Sequence, residues 1–150
     1  MDYLLDTNIL VHRIRESQLG QQIEQEYQLF SGNHNLIISA VTKGEILSFA
    51  KQSDWGLSKM GRLTTLLDAL NCFPVDGSSP LMDAYADIDT YSQGKHQTYP
   101  TPTGFSARNM GKNDLWIAAT AFLLDVPLLT TDQDFDHLHP HFITVIKVKP

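Results

Sequence analysis

Short apolar runs alternate with amphipathic stretches along most of the chain. The first run, Tyr3–Leu5, ends in the polar residues Asp6-Thr7-Asn8. After it, the apolar positions Ile9, Leu10 and Ile14 recur with the spacing of one helix face. This pattern predicts a buried strand followed by a helix.

A second unit repeats this order. Asn35–Ser39 is a β-branched apolar run and predicts a strand. The following apolar positions, from Val41 to Phe49, predict a helix that carries Glu45 in its first turns.

The alternation continues to the end of the chain. Further helices are predicted over Leu19–Phe30, Ser58–Leu70, Ser79–Tyr91 and Asp114–Leu124, and further strands over Cys72–Val75, Val126–Thr130 and, at a sheet edge, Ile143–Val148. Ser79-Pro80 is typical of an N-cap and first helical position, and Asn113 is typical of a cap for the next helix. Strands that alternate with helices predict an α/β fold with a parallel sheet covered on both faces.

One long segment has no sustained period. Gln93–Gly111 is rich in glycine and proline, so we predict an irregular connection. A loop of this length inside a compact domain is often functional.

Length and composition predict the number of domains and the cellular compartment. The 150 residues are 42% hydrophobic, which predicts one domain, 1–150, with a core of its own. Cys72 has no partner cysteine and lies in an apolar stretch, so we expect a buried thiol in a reducing compartment. No basic leader and no apolar run of membrane-spanning length are visible, so we expect a soluble, cytoplasmic protein without a membrane partner.

The net charge of -6 is unusual for a protein that binds a polyanion. Acidic residues that bind cations would remove this objection, because bound cations make the site itself attractive to phosphate. Net charge therefore leaves the class of partner open.

Four acidic residues lie where an α/β fold places its ligands. Asp6 and Asp132 follow predicted strands, and Glu45 and Asp114 lie near the N-terminal ends of predicted helices. Ligands of open α/β sheets bind beyond the carboxyl ends of the strands. Four converging carboxylates would repel one another, and divalent cations are a natural reason to tolerate that repulsion.

Each acid also has a purely structural interpretation. Asp6 could cap the following helix, Thr42-Lys43-Gly44-Glu45 matches a capping box, Asp114 suits a helix dipole and Asp132 could form a turn. The four acids together, with the polar neighbours Thr7, Asn8 and Thr130, favour a site. The histidines at 137, 139 and 141 alternate beside a proline, which is more typical of a solvated segment than of a zinc site.

The acids stand within motifs that resemble the PIN-domain family. The motifs are Leu4-Leu5-Asp6-Thr7-Asn8-Ile9-Leu10, the central Glu45, Lys112-Asn113-Asp114-Leu115-Trp116-Ile117-Ala118-Ala119 and Leu129-Thr130-Thr131-Asp132-Gln133-Asp134-Phe135. Their order and spacing cover nearly the whole chain. Within the family, the compact size most resembles the VapC-type toxins of toxin–antitoxin pairs.

The resemblance implies a three-layer α/β/α sandwich with a mainly parallel sheet, and a ribonuclease that uses Mg²⁺ or Mn²⁺. It implies metal binding by Asp6, Glu45, Asp114 and Asp132, with Asn8 and Thr130 as polar supports. It further implies an antitoxin partner, which we expect to insert a basic or amphipathic segment along apolar positions of the early helices such as Ile9, Ile14 or Leu57–Leu70, and a homodimer. Thr131, where a basic residue is frequent, and the long Gln93–Gly111 loop depart from the family pattern.

Five basic residues are candidates for contacts with RNA phosphates: Arg13, Arg15, Lys43, Arg108 and Lys112. Alternatives from other classes remain. A haloacid dehalogenase-type phosphatase needs a second aspartate where this chain has Asn8, and a receiver domain needs an aspartate that ends a middle strand. Within the PIN family, an RNA-processing nuclease that is not a toxin stays open. A PIN-like scaffold that binds RNA or protein without cleaving is the more serious non-enzymatic alternative, and the complete acid set argues against it.

Overall fold

The computed structural model describes all 150 residues and has five strands and six α-helices. In chain order the elements are β1 Asp2–Leu5, α1 Thr7–Arg15, α2 Gln18–Tyr27, β2 Asn35–Ser39, α3 Ala40–Gln52, α4 Leu57–Asp68, β3 Asn71–Phe73, α5 Ser79–Ser92, α6 Lys112–Leu124, β4 Leu128–Thr130, a 3₁₀ helix Gln133–Leu138 and β5 Val145–Lys147. None of these helices is long and apolar enough to span a membrane.

The strands form one sheet in the order β3-β2-β1-β4-β5, and every neighbouring pair is parallel. The chain adds β2 and β3 on one side of β1 and then returns to add β4 and β5 on the other side. Strand order therefore reverses between β1 and β4, where Leu4 pairs with Leu128 and Leu5 with Leu129. In open α/β sheets such a reversal opens a crevice at the carboxyl ends of the two strands.

Side chains along each strand alternate between two hydrophobic cores. Leu5, Ile38 and Leu129 pack with α1, α2, α3 and α4 on one face of the sheet. Leu4 and Leu128 pack with α5, α6 and the 3₁₀ helix on the other face. The sheet is thus buried on both sides, and the predicted three-layer α/β/α arrangement is confirmed.

The caps differ from the predicted ones by one or more residues. The N-cap of α5 is Ser78, one residue before the predicted Ser79, and α6 begins at Lys112 after Gly111, so Asn113 caps nothing. Helix α3 begins at Ala40, where the hydroxyl of Ser39 accepts a hydrogen bond from the Val41 amide. Thr42 therefore lies inside the helix, and the capping-box interpretation was wrong.

Two expectations about burial were also wrong. Cys72 is exposed, because β3 is an edge strand of only three residues. Ile9 and Ile14 are buried beneath α1 and expose almost no apolar surface, whereas Leu57 is 94% exposed.

The irregular Gln93–Gly111 connection is hydrogen-bonded to α5, and α5 in turn contacts the 3₁₀ helix. The Arg108 amide donates to the Ser92 carbonyl (2.8 Å), and the Ser92 hydroxyl lies 2.7 Å from Nε2 of His137. Burial lowers the pKa of His137 to about 4. His137 is half-buried and contacts α5, contrary to the expectation of a solvated histidine segment, whereas His139 and His141 are exposed.

Candidate metal centre

Asp6 lies where the strand order reverses. It follows β1 directly, and its amide donates to the Leu129 carbonyl of β4 (3.0 Å). Its side chain is 4% exposed and accepts one hydrogen bond at each oxygen: the Thr7 amide donates to Oδ1 (2.7 Å) and the Thr130 hydroxyl donates to Oδ2 (2.6 Å). Each oxygen keeps a lone pair for another ligand.

Burial dominates the titration of Asp6. Although the hydrogen bonds from Thr130 and Thr7 favour the ionised form, loss of hydration raises the pKa of Asp6 to about 6. The negative charges of Asp132 and Glu45 act in the same direction as burial and contribute to this value. A carboxylate held in this way gains most from a cation that neutralises it.

Glu45 reaches the cleft from α3 and is oriented by Thr7. The Thr7 hydroxyl donates to Oε1 of Glu45 (2.8 Å) and lies 3.3 Å from the Thr42 hydroxyl. Thr7 thus contacts two of the predicted acids, because its amide also donates to Asp6. From the sequence, Thr7 was identified only as a polar neighbour of the acids. Its position directly after Asp6 was the one feature that could have predicted this role.

Asp114, Asp132 and Asp134 form the tightest carboxylate group. Each offers one oxygen, and these oxygens lie within 4.8 Å of one another. The Thr130 hydroxyl accepts from the Asp132 amide (2.9 Å), and Oδ1 of Asp132 accepts from the Asp134 amide (2.9 Å). Asp134 was not among the predicted site residues, although it stands two positions after Asp132 in the same motif.

Asp114 is the most strongly perturbed acid of the group. Burial first, and then the charges of Asp6, Asp132, Asp134 and Glu45, raise the pKa of Asp114 to about 7. The repulsion expected between converging acids is therefore present.

One cleft of ≈ 470 Å³ contains all four predicted acids. Its other lining residues are Thr7, Asn8, Val11, His12, Arg15 and Phe49. Hard carboxylate oxygens are the donors that Mg²⁺ and Mn²⁺ prefer, and the set contains no thiolate. The residues present therefore fit a divalent cation.

Of the five basic candidates, Arg15 alone lines this cleft, where its guanidinium carbon lies 5.0 Å from the centre of the Phe49 ring. Arg13 packs over Phe30 on another side of α1 (4.5 Å). Arg108 lies beside His137, whose pKa its charge helps to lower. Lys43 and Lys112 are exposed and do not line the cleft.

Because the pKa of Asp114 is raised, we predict that Asp114→Asn stabilises the metal-free protein by an amount that depends on pH. Between about pH 4 and 7 the folded wild type binds more protons at Asp114 than the unfolded chain, so its stability falls with rising pH. We expect the free energy of unfolding of Asp114→Asn, relative to wild type, to rise across this window. Urea unfolding in chelator at several pH values measures it.

His137 has the opposite effect: its lowered pKa makes the protein less stable as pH falls. This contribution is the same in wild type and variant, so it cancels when one unfolding free energy is subtracted from the other. The same comparison with Asp68→Asn, at an exposed acid of α4 outside the cleft, is the control for removal of one negative charge. A pH-independent difference for Asp114→Asn would contradict the perturbation.

Fold and cleft together define an α/β/α protein with a candidate cation centre at the carboxyl ends of its parallel strands. The chain belongs to the PIN-domain family, whose model matches residues 3–139. This match confirms the resemblance carried by the acidic motifs. No curated protein sequence matches the chain.

The fold is similar to that of several solved complexes. One of them is VapBC2 from Rickettsia felis, bound to a DNA fragment from the VapBC2 promoter. It superposes on this protein with a TM-score of 0.75 and 21% sequence identity, and the match covers 99% of this chain and 100% of that chain. VapBC-1 from nontypeable Haemophilus influenzae gives 0.69 at 22%, over 98% of each chain. VapBC-5 from Mycobacterium tuberculosis, a member of the VapBC family of toxin-antitoxin systems, gives 0.61 at 24%, over 98% of each chain.

Proposed function

We propose that this protein is an endoribonuclease that hydrolyses RNA phosphodiesters with Mg²⁺ or Mn²⁺. One observation carries the proposal: acids from four separate segments, Asp6, Glu45, Asp114 and Asp132, line a single cleft of a PIN-domain fold. These four carboxylates would hold the cation. When bound, the cation neutralises charge on the phosphoryl oxygens and makes water a stronger nucleophile.

The neighbouring residues keep the acids in place. Thr130 holds Asp6 through its hydrogen and receives the Asp132 amide on its oxygen, so one hydroxyl fixes both acids. Thr7 also contacts two acids: its amide donates to Asp6 and its hydroxyl donates to Glu45. Asn8 supplies an amide at the cleft wall, and Arg15 supplies its positive charge for an RNA phosphate.

The direct test is incubation of the purified protein with total cellular RNA and Mn²⁺, followed by mapping of new 5′ ends. We expect discrete new ends bearing 5′-phosphates, absent with Asp114→Asn and present with Asp68→Asn. New ends that persist with Asp114→Asn, or none with wild type, would contradict the proposal. Cleavage of single-stranded DNA in a parallel reaction would contradict the assignment of RNA as the specific substrate.

We further propose that the protein is a homodimeric toxin held inactive by an antitoxin. The similar VapBC structures support this class of partner. A groove of ≈ 780 Å³ between α1 and α4 would accept an amphipathic segment, with Ile14, Phe30, Leu57 and Leu66 as apolar walls and Arg13 and Arg62 among its polar residues. A basic residue of the same segment would pair with the metal-free carboxylates.

Leu57→Glu is expected to weaken the antitoxin complex by at least about tenfold, since it places a charge on the apolar wall of the groove. The variant should fold normally, because Leu57 is 94% exposed. Co-expression with the product of the adjacent small open reading frame, followed by affinity purification and gel filtration, measures the effect. Phe122→Glu, at an exposed aromatic on α6 outside the groove, is the matched control. Equal recovery of both complexes would exclude this groove.

A further inference from the structure

Helix α1 carries three polar residues along the wall of the acidic cleft. Asn8, His12 and Arg15 are separated by four and three positions, so they lie on one face of the helix. All three line the cleft that contains the carboxylates. His12 has no part in the proposed cation centre, and the sequence motifs give it no role.

The ring of His12 is hydrogen-bonded to Ser17. Nδ1 of His12 lies 2.8 Å from the Ser17 hydroxyl, which also caps α2 by accepting from the Gly20 amide (3.0 Å). The one hydrogen of this hydroxyl has two possible acceptors, Nδ1 at 2.8 Å and the His12 carbonyl at 3.5 Å. The shorter contact favours Nδ1 as the acceptor. A neutral His12 then carries its proton on Nε2.

Backbone contacts fix the position of Ser17. Helix α1 ends at Arg15, Glu16 adopts a left-handed conformation with a φ of 52°, and the Ser17 amide donates to the His12 carbonyl (3.2 Å). Burial and the charge of Arg15 lower the pKa of His12, which favours the neutral ring. With Nδ1 bound to Ser17, the N–H donor of the ring is at Nε2, and the residue lies on the wall of the cleft that holds the carboxylates.

We propose that His12 binds the RNA backbone through Nε2–H, at a phosphate that flanks the scissile one. This inference rests on the proposed ribonuclease function for its class of ligand. A helix rises about 1.5 Å per residue, so His12 lies about 9 Å along α1 from Asp6. That offset places the donor beside a neighbouring nucleotide when the scissile phosphate is at the carboxylates. Arg15, one turn further along the same face of α1, would contact the next part of the RNA backbone.

Steady-state cleavage of a single-stranded RNA separates this role from a structural one. His12→Ala should raise KM about tenfold and change kcat less than about twofold, because the lost bond reaches a charged phosphate that is not reacting. His12→Gln, whose amide nitrogen can replace Nε2–H, should recover most of the loss. His141→Ala, at an exposed histidine outside the cleft, should leave KM unchanged. An unchanged KM for His12→Ala would overturn the inference.

Ser17→Ala tests the role of the serine in orienting the ring. It should raise KM in the wild-type background and have no further effect when combined with His12→Ala, because the serine acts through the histidine. Long-range ¹H–¹⁵N NMR of the imidazole should show the Nε2–H tautomer in the wild type. Equal effects of Ser17→Ala in both backgrounds, or an Nδ1–H tautomer, would overturn this arrangement.

Binding without turnover distinguishes this inference from the proposed function. The probe is a fluorescein-labelled single-stranded oligouridylate with calcium in place of magnesium, and its anisotropy gives Kd. A Kd about tenfold weaker for His12→Ala supports the inference even if no RNA is cleaved and the proposed function fails. RNA cleavage accompanied by equal Kd values for wild type and His12→Ala would sustain the proposed function and overturn the inference.

Discussion

Replacement of Asp6 by asparagine is expected to abolish RNA cleavage while making the metal-free protein more stable. The carboxylate lies at the centre of the candidate site, and the amide that replaces it is neutral and a poorer cation ligand. Loss even of a residue that only supports a metal ligand usually costs about 10–100-fold in affinity or activity, so we expect at least a hundredfold loss here.

The gain in stability follows from the burial of Asp6. Its pKa is about 6 in the folded protein and 3.8 in the unfolded chain, so ionisation at pH 7.5 opposes folding. The ionised Asp6 destabilises the folded protein by on the order of 2–3 kcal/mol, at about 1.4 kcal/mol per pKa unit. Asparagine removes this effect, and its Oδ1 can still accept the Thr7 amide. We expect the melting temperature in chelator to rise by about 5 °C, since 1 kcal/mol corresponds to about 2–4 °C at this size.

Cleavage assays with Mn²⁺ and thermal melts with and without Mn²⁺ measure both effects on the same preparations. Added metal should stabilise the wild type and have little effect on Asp6→Asn. Asp68→Asn provides the matched control, with wild-type cleavage and an unchanged response to metal. Cleavage at the wild-type rate by Asp6→Asn would sink the assignment of Asp6 as a ligand.

The positions of Asp6 and Asp132 could be predicted because both acids lie just beyond the ends of apolar strands. Buried parallel strands appear in sequence as short continuous apolar runs, and the residue after each run lies at the carboxyl edge of the sheet. Asp6 directly follows Tyr3–Leu5, and Asp132 follows Leu128–Thr130 with one residue, Thr131, between them. The parallel sheet and its two covering layers follow from the same alternation.

Contacts made by loops and turns could not be predicted in this way. Asp134 joins Asp114 and Asp132 because the chain folds into a 3₁₀ helix directly after Asp132, and an exposed acid in such a turn has no distinctive pattern. His137 is packed against Ser92 by a contact that spans 45 residues, which no local pattern carries. Cys72 had an apolar neighbourhood but lies on a short edge strand.

For the two arginines of α1, by contrast, the sequence contained the information about which of them lines the cleft. A helix advances about 100° per residue, so Arg15 lies within about 20° of Asn8 around α1. Arg13 lies about 140° from Asn8 and faces away. Helical phase counted from the Asp6 motif therefore separates Arg15, which lines the cleft, from Arg13, which packs on Phe30. The same count selects His12.

Activity is expected to require Mg²⁺ or Mn²⁺, to disappear in excess chelator and to be suppressed by Ca²⁺ in spite of binding. The donors are carboxylates alone, and Asp6 and Glu45 are each fixed by a threonine, so a small octahedral cation suits them. Calcium prefers six to eight oxygens at longer distances of about 2.3–2.6 Å, and we expect it to occupy the acids without supporting hydrolysis.

The affinity for Mn²⁺ should rise steeply from pH 5.5 to 8, because a cation displaces the protons that Asp6 and Asp114 bind with pKa values of about 6 and 7. Isothermal titration in two buffers of different ionisation enthalpy gives both the Kd and the number of protons released. We expect this number to fall as the pH passes 7, and to be smaller for Asp114→Asn than for wild type at pH 6.5. Thermal melts should show stabilisation by Ca²⁺ as well as by Mn²⁺, while cleavage occurs with Mn²⁺ alone. Undiminished cleavage in chelator, or metal binding without proton release at pH 6.5, would overturn the assignment of these carboxylates to a cation centre.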